Sequence, residues 1–207
     1  MESTGIYWMP IWRLLESDFK LYLVNLYTIK QLPGRKSDSK NVEWLATCQQ
    51  KDFIRGSYVP GDTIQQLRQY NCRVFDITKQ LVYIQSKMDA ALQRCNIRLS
   101  YYVSNVDTKS YREVVRLLSE GETRPDELIK KIHGRTNNRC GRENVLTALQ
   151  GVVPRTDMDM LEKYVEELEM YRRYKAHCLL MMKEICKEYY QKLEHLQTIL
   201  SCTTLLL

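Results

Sequence analysis

The chain has 207 residues, 44% of them hydrophobic and 27% charged, the balance of an ordinary globular protein and enough for one domain or a domain with an appendage. No stretch approaches 18 uncharged apolar residues, which excludes a transmembrane helix, and Met1-Glu2-Ser3-Thr4 lacks the basic and then apolar opening of a signal peptide. The net charge of +6 is uneven: residues 1–155 carry +8 (24 Lys and Arg against 16 Asp and Glu) and residues 156–207 carry −2. A basic body suggests a polyanion partner, and an acidic tail suggests a different role.

Thr4 to Glu16 reads as a short helix, with Tyr7, Ile11, Leu14 and Leu15 at helical spacing and Pro10 near enough to the start to be tolerated. Phe19 to Asn25 is aromatic and β-branched and reads as a strand. A turn rich in Pro, Gly and basic residues, Leu32-Pro33-Gly34-Arg35-Lys36, then feeds a helix beginning near Ser37, with Val42, Leu45, Ala46 and Cys48 available to pack. Helix, strand, turn and helix in this order make an α/β arrangement.

From Tyr70 the apolar positions run Tyr70, Val74, Ile77, Leu81, Ile84, Met88, Ala91 and Cys95, in steps of four and three. That is a heptad seam, so one long helix packs against a partner helix. Its other faces carry Arg68, Arg73, Lys79, Lys87, Arg94 and Arg98 against Asp62, Asp76 and Asp89, with no Glu at all. Shorter helices follow at Ser110–Ser119, Pro125–His133 and Arg142–Gln150, and Arg135-Thr136-Asn137-Asn138-Arg139 reads as a polar, basic loop. A second heptad helix runs from Asp157 to about Cys202. The two long helices read as an antiparallel pair or as a coiled coil that dimerises.

The seven Cys (48, 72, 95, 140, 178, 186, 202) are odd in number and form no C-x-x-C pair. They fit reduced thiols in a reducing compartment, the cytoplasm, rather than a disulfide framework. His177 and Cys178 are neighbours on a helix and point to different faces, which argues against zinc. Asp38 sits at a helix start behind a basic turn, where it caps the helix or handles phosphate or metal, and Arg35, Lys36 and Lys40 are either a solvated charge run or phosphate contacts. The chain carries no aromatic-interleaved base-reading motif by this reading.

Three blocks carry a resemblance: Met1-Glu2-Ser3-Thr4-Gly5-Ile6-Tyr7-Trp8, Leu23-Val24-Asn25, and Leu32-Pro33-Gly34-Arg35-Lys36-Ser37-Asp38-Ser39-Lys40-Asn41-Val42-Glu43-Trp44-Leu45-Ala46. Ile54 to Pro60 and Ile64 to Arg68 extend it. In order and spacing they resemble the DEDD-type (RuvC-like) insertion-sequence transposases, an RNA-guided, serine-assisted kind. The resemblance implies a partial ribonuclease H-like (RuvC-like) domain over 1–60; together with the apolar periodicity this makes a mostly α protein with a small α/β part, in which a long heptad helix over 61–100, a short-helix insert over 101–155 and a second heptad helix over 156–207 follow.

It also implies a site. Clustered carboxylates hold Mg²⁺, which activates a nucleophile and stabilises charge on phosphate. By position Glu2 matches the second acid and Asp38 the third, both as metal ligands, while Asn41 stands where the fourth acid belongs. Arg35, Lys36, Lys40 and Arg68 are the implied nucleic-acid contacts. The first acid and the serine-bearing domain have no counterpart in these residues, so the expectation is a transposase fragment of weak or no catalysis, with Mg²⁺ belonging to the ancestral site. The implied partners are DNA, a structured guide RNA and further copies of the chain through the coiled coil. The alternative is a non-catalytic coiled-coil protein that binds nucleic acid or full-length transposase subunits.

Overall fold

The computed structural model of the chain describes residues 1, 3, 5–25, 27 and 41–197. It divides into two compact units, Met1–Ile64 and Gln65–Leu207.

In the first unit the expected short helix forms as α1 (Trp8–Leu15). Its amphipathic pattern is real, but none of its residues is buried. Trp8 and Trp12 meet edge to face at 5.9 Å, and Trp12 Nε1 donates to Glu16 Oε2 at 2.8 Å. Phe19–Asn25 does not form the expected strand: Leu23 makes one isolated antiparallel bridge to Ser57. The Ser57 N–H donates to the Leu23 carbonyl at 2.6 Å, the Val24 N–H to Met1 at 2.8 Å and the Ser3 N–H to Val24 at 2.9 Å. Three extended stretches thus lie side by side with one or two pairs each. Of the run, Leu23 and Val24 are buried while Phe19 is 62% exposed, so no alternating apolar face extends the pairing.

The next helix is α2 (Asn41–Gln50). Cys48 is buried with Val24 and Ile54, and Tyr22, Trp44 and Leu45 pack against them. Val42, expected to pack, is 76% exposed.

The first heptad helix is α3 (Asp62–Arg94), which runs out of the first unit into the second. Ile77, Leu81, Ile84, Met88 and Ala91 are buried, as the seam requires, and Tyr70 and Val74 are partly so. The helix stops in a left-handed turn. Asn96 has φ 62°, its N–H donates to the Gln93 carbonyl at 3.0 Å, and the Ile97 N–H donates to Leu92 at 2.9 Å. This is a Schellman ending, with Ile97 and Leu92 both buried as its apolar contact.

The insert contains α4 (Lys109–Ser119), α5 (Pro125–Leu128), α6 (Gly134–Cys140) and α7 (Arg142–Ala148). The stretch Arg135–Arg139, expected as a loop, is therefore helical. His133 starts it, its Nδ1 accepting the Arg135 N–H at 3.1 Å. The second long helix is α8 (Arg155–Ile185); a 3₁₀ turn at Lys187–Tyr189 separates it from α9 (Tyr190–Gln197). The continuous helix expected to Cys202 is thus interrupted, and its end lies outside the described residues. Beyond Cys178 the residues of α8 are at most partly buried, so packing holds the helical register less firmly there.

The long helices run antiparallel. Arg94, at the end of α3, ion-pairs with Asp157 at the start of α8, while Tyr70 and Arg73 near the other end share a cavity with Cys178. Helix α4 packs against α8 and fills the core with Tyr111, Val114, Val115 and Leu118, all fully buried. The insert and both long helices thus form one hydrophobic core.

Candidate nucleic-acid interface

Glu2, Asp38, Arg35, Lys36 and Lys40 lie outside the described residues, and Asn41 is described only as the first residue of α2. The segments beside the two acids do meet. Met1 shares a cavity of about 290 Å³ with Tyr22 and Val24, and with Leu45, Ala46 and Gln49 of α2. The Met1 ammonium donates to the Tyr22 carbonyl at 2.8 Å. Among the described residues Lys20 stands in the wall of this cavity and no carboxylate does. Among the described residues no three His, Cys, Asp or Glu gather as a metal site.

The cations of α3 are better defined. With the seam turned inward, Arg68 is exposed as expected, as are Lys79 and Lys87. Arg94 differs, because its guanidinium is committed to Asp157, which also raises its pKa. Two aromatic rings stand on the same outer face: Phe75 is 61% exposed and Tyr83 58%. Lys79 Nζ lies 4.2 Å from the Phe75 ring centre, and Lys87 Nζ lies 5.1 Å from that of Tyr83. The sequence reading missed these pairs. The signal was there: an aromatic followed by Lys four residues on, occurring twice eight residues apart, on the face opposite the seam.

Chemically this face offers charge for phosphates and rings for unpaired bases. Lysine contributes a mobile point charge that suits a backbone phosphate, and an exposed ring can stack on any base without reading its sequence. Asp76 is the one acid between Phe75 and Lys87.

Comparison with known proteins places this helix in a wider frame. Residues 1–97 match a family model for DEDD transposases of the IS110 type, described as a transposase. The match spans the three resemblance blocks and all of α3, so over residues 1–97 the chain is similar to an insertion-sequence transposase. No curated protein and no solved structure matches the chain. No helix described is long and apolar enough to cross a membrane.

Proposed function

We propose that this chain is a DNA-binding protein of the insertion-sequence transposase kind, that the outer face of α3 holds the nucleic acid, and that strand cleavage by the chain alone is weak or lost. The transposase match over residues 1–97 supports the class. The observation that carries the binding assignment is the outer face of α3, where Arg68, Lys79 and Lys87 accompany two exposed rings on a helix without Glu. Weak cleavage follows from Asn41: an amide in place of a carboxylate removes a negative charge from a site that must hold Mg²⁺. Duplex DNA is the principal partner in this reading. A structured guide RNA would meet the same cations, and the long helices would bring copies of the chain together.

The test is salt dependence. Each phosphate contact contributes about 0.9 to the slope of log affinity against log salt on duplex DNA. The triple variant Arg68→Gln, Lys79→Gln, Lys87→Gln therefore flattens the slope by about 2.7 if all three cations touch phosphate. An unchanged slope sinks the assignment of this face. Mg²⁺-dependent nicking by the purified chain, abolished by Asp38→Ala, would overturn the view that cleavage is lost.

A further inference from the structure

The stretch Arg135–Arg139, outside the segment that matches the transposase family, has no part in the proposed interface. Because it is helical, Arg135 and Arg139 fall four residues apart, on one face of α6. That face and the start of α4 enclose a cavity of about 520 Å³, in whose wall stand Lys109, Arg135 and Arg139 with the hydroxyls of Ser104, Ser110 and Thr136. Among the described residues His133 and Thr108 complete its polar lining, and no acid belongs to it.

The cavity is tied together by the chain's own bonds. The His133 N–H donates to Ser110 Oγ at 3.0 Å, and Arg139 Nη2 donates to the Tyr102 carbonyl at 2.9 Å. Thr108 caps α4, its Oγ1 accepting the Tyr111 N–H at 3.4 Å. Asp107, the nearest acid in sequence, is committed elsewhere: it pairs with Arg172 and accepts from Gln85 Nε2 at 2.7 Å. Among the described residues neither Lys109 nor Arg135 makes an ion pair, and Arg139 uses one N–H on Tyr102. Lys109, Arg135 and Arg139 thus line one concave surface whose described lining holds no carboxylate, while Lys109 also borders the neighbouring cavity lined by Glu113 and Glu169.

We infer that this cavity is a second anion site and that it receives the phosphodiester backbone of a single nucleic-acid strand. This rests on the proposed function in taking nucleic acid as the partner. The lining decides the ligand class. Guanidinium, ammonium and hydroxyl groups are phosphate and sugar partners, and they outnumber the one ring of the described lining, the His133 imidazole. Size decides the strand. A cavity of about 520 Å³ has room for a backbone segment of a nucleotide or two, which a flexible single strand can insert and a rigid duplex can only present at the mouth.

The experiment is fluorescence anisotropy with the full chain, using a labelled short single strand and a labelled duplex, at about 50 and about 200 mM salt. The variants are Lys109→Gln with Arg135→Gln and, should that fold poorly by circular dichroism, Lys109→Glu with Arg135→Glu. Both side chains are exposed, which keeps the core out of the test. The expected result is about tenfold weaker single-strand binding and a salt slope flatter by about 1.4, with duplex binding little changed. Unchanged single-strand affinity and slope overturn the cavity site and leave the α3 face standing. Single-strand binding lost only in the α3 triple variant likewise overturns the cavity site. Absence of any binding by the wild-type chain overturns both readings. Inorganic phosphate or ribose 5-phosphate, added as competitor, separates the sources: displacement of the strand at low micromolar competitor marks a small-phosphate site and overturns the strand assignment.

Discussion

The two units were built from similar apolar patterns with different results. In the second, the seam of α3 meets α4 and α8, and Ile77, Met88, Tyr111, Leu118 and Leu161 lose nearly all their exposure. In the first, α1 has an equally clear apolar face, yet Ile11 is 51% and Leu14 75% exposed. Its core is the small group of Val24, Cys48 and Ile54 with the side chains packed on it. Periodicity decides which residues share a face, and a partner surface decides whether that face is stabilised by burial. The difference predicts unequal stability, with amides of α1 exchanging before those of α3 and α4.

The largest test compares truncations. Leu161→Ala, at a fully buried position, should cost about 3–5 kcal/mol and lower the urea midpoint of the second unit. Ile54→Ala should fall near the low end, about 2 kcal/mol, and leave that transition in place. If both substitutions lower one common midpoint equally, the contrast between the units is wrong. Next is Gly151→Ala. A Cβ at Gly151 would lie 2.2 Å from the Cys95 carbonyl oxygen and 2.7 Å from Ile97 Cγ1, where the chain after α7 crosses the end of α3. The Val152 N–H donates to that same carbonyl at 3.2 Å, so the backbone cannot retreat without losing the bond. Overpacking of this kind costs about 1–3 kcal/mol, readable as a fall in the thermal midpoint of the second unit.

Tyr111→Phe is milder. The hydroxyl donates to Asp89 Oδ1 at 2.9 Å, and its loss should cost about 1 kcal/mol at neutral pH. Burial and then the Asp89 carboxylate push the Tyr111 pKa up, so the folded chain holds this proton more tightly than the unfolded chain does. The resulting stability is intact below about pH 10 and is lost above it, by up to about 1.4 kcal/mol per pH unit. The Phe variant lacks this loss. The gap between the two proteins should therefore close and reverse in alkaline urea titrations, and a constant gap would mean that Tyr111 is not held neutral by the fold.

Much of the second unit was legible because steps of three and four are a geometric signal. Ile77, Leu81, Ile84, Met88 and Ala91 were named as seam residues and are buried. What failed was local. Arg135–Arg139 has polar residues and flanking glycines, and it became helical because Ile129 and Ile132 before it and Val145 after it anchor in the core. Phe19–Asn25 has strand composition without a partner ladder. The site was legible only in part: Arg68 stands in solvent as expected, while Phe75 and Tyr83 were not expected to stand beside the lysines, because spacing alone does not say that a ring stays outside. The acid positions came from resemblance, since nothing in the spacing of Glu2 and Asp38 brings them together.

The smallest effects come from a motif the two units share. Helix α2 ends like α3: Asp52 has φ 52°, its N–H donates to Gln49 at 3.2 Å, and the Phe53 N–H donates to Cys48 at 3.0 Å. Glycine at such a position removes a left-handed strain of about 1 kcal/mol and adds unfolded-chain entropy of about 0.5–1 kcal/mol, so the two nearly cancel. Asn96→Gly should accordingly shift stability by less than about 0.5 kcal/mol. Asp52 differs in carrying a negative charge at the negative end of a helix dipole, a repulsion of about 0.3–1 kcal/mol that glycine also removes. Asp52→Gly should therefore slow exchange of the α2 amides several-fold while Asn96→Gly leaves α3 unchanged. Equal effects at both positions would show that backbone strain, not charge, sets the stability of these endings. The contrast between the units would then rest on their cores alone.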